Sequence, residues 1–160
     1  MRVYQLGQRI DFLPRTAVPA AGTTVYPLKL NGSITLGGSD SGPVTPTYAN
    51  QQLRKLDGIR AMALEAVFEY GAAGTTTKLF LQSSFDGVNW HDVACFAFLL
   101  ANSRKVALLA QTSSNPAVAT DGTLADDTLS GPVAPFWRVK VIVTGAYTAT
   151  FMTLKGEPLA

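Results

Sequence analysis

The run from Lys78 to Phe98 constrains this chain more than any other. It holds two segments rich in apolar and β-favouring residues, and Asp86-Gly87 sits where the chain must reverse. Asp-Gly is a pair that tolerates the positive φ angles of a tight hairpin. On the far side, Trp90 and Val93 to Phe98 suit a pleated, half-buried surface. The stretch therefore reads as two antiparallel strands, and it fixes the fold class.

Other segments carry the same signature. Ile59 to Tyr70 alternates Leu64, Ala66, Phe68 and Tyr70 against Glu65, Val67 and Glu69, as a strand with one buried face would. Phe136 to Thr144 sets Val139, Val141 and Val143 against Arg138, Lys140 and Ile142, and Gly145-Ala146 turns it into Tyr147 to Lys155. Ser103 to Leu109 is a further strand candidate, and Val25 to Leu36 supplies one or two more around an Asn31-Gly32 turn. Helical periodicity is confined to Leu53, Leu56 and Ile59, where Asp57-Gly58 interrupts it. Seven to nine short strands with few helices predict an all-β chain, an antiparallel β-sandwich of jelly-roll type. Residues 1–24, broken by Pro14, Pro19 and Gly22, read as an extended N-terminal arm, and residues 25–160 as a single sandwich domain with one long loop, Ala110 to Pro135.

Composition bounds what such a domain can do. The chain has 160 residues, room for one domain with a real core. Hydrophobic residues make up 47%, but charged residues only 15%, against about 25% in an ordinary soluble domain. A neutral surface, or one covered by other subunits, follows. The formal charge of +2 comes from scattered Lys and Arg without the basic stripe of a nucleic-acid binder. No run approaches the length of a membrane span, so the expectation is a soluble protein made in a cytoplasm. The single cysteine, Cys95, lies among Ala94 and Phe96 and reads as a small core residue.

Catalytic and metal-binding patterns are weak. His91 is the only histidine, and the neighbouring Asp92 projects to the opposite side of a strand. Glu65 and Glu69 share a solvent face rather than forming an acid–base pair. Asp121, Asp126 and Asp127 do not follow the calcium-loop spacing and read as turn and cap residues. No Gly-x-Ser-x-Gly elbow is present. Ser84 to Trp90 is similar to the Asp-box turn of sialidase-like propellers, one residue short and occurring once; that turn is itself a folding element. The expectation is a protein that is not an enzyme and uses no cofactor or metal.

A broader resemblance rests on Val67-Phe68-Glu69-Tyr70-Gly71, Thr75 to Lys78, Gln82 to Gly87, Trp90 to Phe98, Thr120 to Asp126 and the Arg138-Val139-Lys140 strand. Over roughly residues 60–155 these strings resemble a family of small tailed-bacteriophage virion proteins. The resemblance implies a structural role, foremost a capsid decoration or cement protein. Such a protein binds the major capsid protein on the outside of the shell, as a homotrimer, without nucleic acid or membrane. The arm residues Val3, Tyr4, Leu6, Ile10, Phe12 and Leu13 are then the expected contacts with the shell or a neighbouring copy. A neck or tail ring component, and a carbohydrate-binding module using Trp90, Tyr70, Trp137 or Tyr147, are the alternatives.

Overall fold

A computed structural model describes residues 10–28, 61–110, 120–130, 134 and 136–159. Within them the chain forms ten β-strands and no helix. They are β1 (Ile10–Ala17), β2 (Gly22–Pro27), β3 (Ala61–Glu69), β4 (Ala72–Ala73), β5 (Thr76–Ser84), β6 (His91–Phe98), β7 (Ser103–Ala110), β8 (Phe136–Thr144), β9 (Tyr147–Thr148) and β10 (Phe151–Leu159). One sheet has the order β1-β10-β3-β7 and the second β2-β8-β5-β6, while β4 and β9 form a small two-stranded piece. All pairings are antiparallel. β1 and β2 lie in different sheets, as do β2 and β3, β6 and β7, and β7 and β8. This interleaving is compatible with the jelly-roll version of a sandwich.

Alternation builds the layers. Met62, Leu64, Ala66 and Phe68 of β3 are buried, as are Trp137, Val139, Val141 and Val143 of β8. The two inner faces join in one apolar cluster. Phe68 stacks on Phe98 across the sheets, centroids 4.9 Å apart, with Tyr147 edge-on to Phe68 at 5.8 Å. Phe12 meets Trp137 at 5.5 Å. Each such fully buried side chain contributes about 1.5–3 kcal/mol from water exclusion. Glu65 and Glu69 do lie on the outer side, paired with Arg104 and Arg15.

Two expectations are corrected. Residues 10–24 are not an arm detached from the sandwich: β1 is an edge strand of the first sheet, and β2 begins at Gly22 in the second. Ile10, Phe12 and Leu13 are buried in the core, so they cannot serve as contacts with a shell or a neighbouring copy in this fold. The physical reason is that β10 offers an unpaired edge and the core needs their side chains. Val3, Tyr4 and Leu6 lie outside the described residues, as do the Asn31-Gly32 turn and the helical spacing from Leu53 to Ile59. The second correction concerns the reversal between β5 and β6. It spans residues 85–90, and of the Asp-Gly pair only Gly87 has a positive φ, 75°.

Candidate functional site

Asp86 shapes that reversal through its side chain. Its Oδ1 accepts the Val88 and Asn89 backbone N–H groups at 2.8 and 2.7 Å, and its Oδ2 accepts the Asn89 amide at 2.7 Å. Ser84 Oγ donates to Oδ1 and accepts the Gly87 N–H at 2.9 Å. Hydrogen bonds to the ionised carboxylate, those from the Asn89 and Val88 backbone first, hold it well below the usual carboxylate range. The turn is thus a polar clasp that presents Phe85 and Val88 to solvent.

The most elaborate polar construction lies on the outer face of the second sheet. β5 pairs evenly with β6 until Leu81 meets Ala94; the next pair is Gln82 with Asp92, which leaves Val93 as a one-residue bulge. Strand parity alone would put Asp92 on the same side as Ala94 and Phe96. The bulge moves it to the outer side, beside Gln82, whose Nε2 donates to Asp92 Oδ1 at 2.7 Å. Residues 120–130 then run over this face as a strap. Asp92, fully buried, accepts the backbone N–H groups of Gly122, Thr123 and Leu124 at 2.9–3.1 Å. Four donors converge on one carboxylate.

The network continues outward. Arg138 Nε donates to Gln82 Oε1 at 2.7 Å, and its guanidinium sits 4.2 Å over the Trp90 ring. Burial pulls the Arg138 guanidinium below its ordinary value, against the opposing pull of Asp121 and Asp92. Three aspartates rivet the strap. Asp121 meets Lys140 at 2.8 Å and Arg138 at 3.3 Å, Asp126 meets Lys78 at 2.7 Å, and Asp127 meets Lys105 at 2.7 Å. The hydrogen bond from Lys140 depresses the Asp121 carboxyl. Burial resists ionisation of Asp127, but Lys105 and the Ala97 N–H outweigh it, and its carboxyl is depressed too. Asp121 and Asp127 hold φ angles of 54° and 56°, so the turn chemistry expected of them is combined with ion pairing.

The strap also closes the β6 edge. Cys95 N–H donates to Thr128 O, Ser130 N–H to Val93 O, and Ala97 N–H to Asp127 Oδ1. Phe80 and Cys95, on the outer face of their strands, are consequently buried. Burial first, and then the nearby Asp126 charge, push the Cys95 thiol up to about 12. It is a small interior residue, as expected, but the strap and not the core of the sandwich covers it.

Candidate ligand residues are placed as follows. His91 packs edge-on to Phe85 and bridges to Thr120, diverging from Asp92. Among the described residues, no group of three or more His, Cys, Asp or Glu side chains is arranged to hold a metal ion. Trp137 is buried, Tyr70 and Tyr147 stand edge-on to each other at 6.4 Å, and Trp90 carries Arg138 on its ring. Of the four aromatic residues weighed for sugar stacking, Trp137 lies in the core and Tyr70 and Tyr147 pack against it, while Trp90 is half-buried. The site that sequence reading missed is Asp92 as the anchor of the strap. Its only signal was a charged residue inside the apolar run from Trp90 to Phe98.

No protein-family model, no curated protein and no solved structure matches this chain.

Proposed function

We propose that this chain is a structural protein of a tailed-bacteriophage virion, foremost a decoration protein seated on the outside of the major capsid shell. One observation carries the proposal beyond the sequence resemblance. The acidic groups weighed for chemistry are spent on architecture: Asp92, Asp121, Asp126 and Asp127 fasten the strap, while Glu65 and Glu69 pair with arginines. Several large apolar side chains, by contrast, remain exposed without such a partner. Phe85 and Val88 are 61% and 76% exposed before β6, and Leu99 and Leu100 are 68% and 50% exposed after it. Eight residues of β6 separate the two pairs, so they sit roughly 25 Å apart. Two apolar contact points at opposite ends of a stiff sandwich suit a part that spans neighbouring subunits.

The test is the copy number of this chain per purified virion, by quantitative mass spectrometry against the major shell protein. Hundreds of copies in simple ratio to the shell subunit support decoration. Six or twelve would move the protein to a neck or tail ring, and absence from virions would overturn the structural reading.

A further inference from the structure

We infer that the free edge of β7 is an interface between two copies of this chain, joined by antiparallel pairing of β7 with β7 about a two-fold axis at Ala107. The inference goes beyond the virion proposal and does not depend on it.

It begins from how the four sheet edges are treated. An exposed strand edge carries unpaired N–H and C=O groups and invites another strand, and proteins blunt it with bulges, proline, charge or a covering loop. β1 contains Pro14 and two register irregularities against β10. β2 ends in Pro27. β6 is covered by the strap. β7 has neither bulge nor proline: it pairs with β3 through eight consecutive residues, from Ser103 opposite Phe68 to Ala110 opposite Ala61. Its inward-pointing charge, Lys105, is engaged across the sandwich with Ala97 O and Asp127, leaving the stretch beyond it without any charge. Among the described residues, nothing pairs with the outer edge of β7.

What β7 displays is apolar. Val106 is 68% and Leu108 57% exposed, both on the outer face of the first sheet, opposite Glu65 and Ala63. A two-fold pairing must keep outer faces together, so residues of like parity oppose each other. An axis at Ala107 sets Val106 against Leu108 of the second copy, and Leu108 against its Val106. Arg104 then faces Ala110, and Lys105 faces Leu109. Every exposed aliphatic gains an aliphatic partner, and no cation meets a cation. An axis at Lys105 would instead put two ammonium groups face to face. The Ala107 arrangement joins the two four-stranded sheets into one of eight strands, and it commits to a second copy as occupant. It is a dimer, not the trimer that the family resemblance implies.

The experiment measures solution mass by light scattering and sedimentation across a concentration series. The full-length chain should reach twice its 17.0 kDa mass. The double variant Val106→Asp, Leu108→Asp should stay monomeric with an unchanged circular dichroism spectrum, since both positions are exposed in the single chain. Register is read with Ala107→Cys in a Cys95→Ala background. Cα atoms directly opposite in an antiparallel pair lie about 4.5–5.5 Å apart, within disulfide reach. Ala107→Cys should therefore cross-link to a covalent dimer under mild oxidation, and Arg104→Cys in the same background should not. A monomer at all concentrations would overturn the inference. So would a three-chain mass, a dimer indifferent to the double variant, or slow hydrogen exchange at the β7 edge in the monomer, which would mean that the chain covers this edge itself.

Discussion

Replacing Asp92 with alanine tests the logic of the strapped face. Four donors converge on this buried carboxylate: Gln82 Nε2 and the N–H groups of Gly122, Thr123 and Leu124. Hydrogen bonds to a charged group contribute about 1.5–3 kcal/mol each, so a naive sum gives about 6–12 kcal/mol. That sum overshoots, because the strap has an escape. If it lifts, its three amides find water, and so does the Gln82 amide that it covers. The remaining ion pairs hold it weakly: each aspartate of the Asp121, Asp126 and Asp127 pairs is at least half exposed, and such pairs contribute about 0–1 kcal/mol apiece, which leaves mainly the backbone bonds of Thr128 and Ser130 to β6. The loss is therefore capped near the cost of breaking a buried polar network, about 3–5 kcal/mol. Urea unfolding of Asp92→Ala should show that loss, with a lower slope because surface under the strap is already exposed in the native state. Hydrogen exchange at Gly122 to Leu124 should accelerate, while the amides of β3 stay protected apart from the global loss. Asp92→Asn should fall between, losing about 2 kcal/mol, since its NH₂ group faces donors. A stability within about 0.5 kcal/mol of the parent, or unchanged exchange in the strap, would refute the reasoning.

Four shorter predictions follow from the same geometry. Phe68→Ala removes a buried ring stacked on Phe98 and should cost about 3–5 kcal/mol, seen as a fall in Tm of about 6–20 °C. Gly71→Ala would press its methyl into the Thr148 and Ala149 carbonyl oxygens, so its urea midpoint should report a loss of about 1–3 kcal/mol. Cys95, its thiol pushed up to about 12, should react with a thiol reagent at pH 8 roughly a thousandfold more slowly than a free thiol; Asp92→Ala should narrow that gap. For pH, Asp121 and Asp127 are depressed in the folded protein, so their contribution is complete above the unfolded carboxyl value of about 3.9 and fades as pH falls through the lower folded values. Urea midpoints should hold near neutrality and drop in acid below about pH 4, less so in an Asp121→Asn, Asp127→Asn variant.

What the sequence determined by itself was the class of fold and the strands whose two faces meet different surroundings. β3 and β8 were legible because apolar residues bound for the core alternate with residues that face away from it. Glu65 and Glu69 could be placed for the same reason. Tertiary structure decided three things that no local pattern holds. The assignment of Ile10, Phe12 and Leu13 to the core depends on an edge offered by β10, some 140 residues later in the chain. The position of Asp92 depends on one bulge at Val93, which exists only in the register between β5 and β6. The burial of Phe80, Gln82 and Cys95 depends on a polar strap whose backbone amides, invisible in side-chain patterns, are what a buried carboxylate requires. Alternation records contact with solvent or core; it cannot record which distant segment will arrive to cover an outer face.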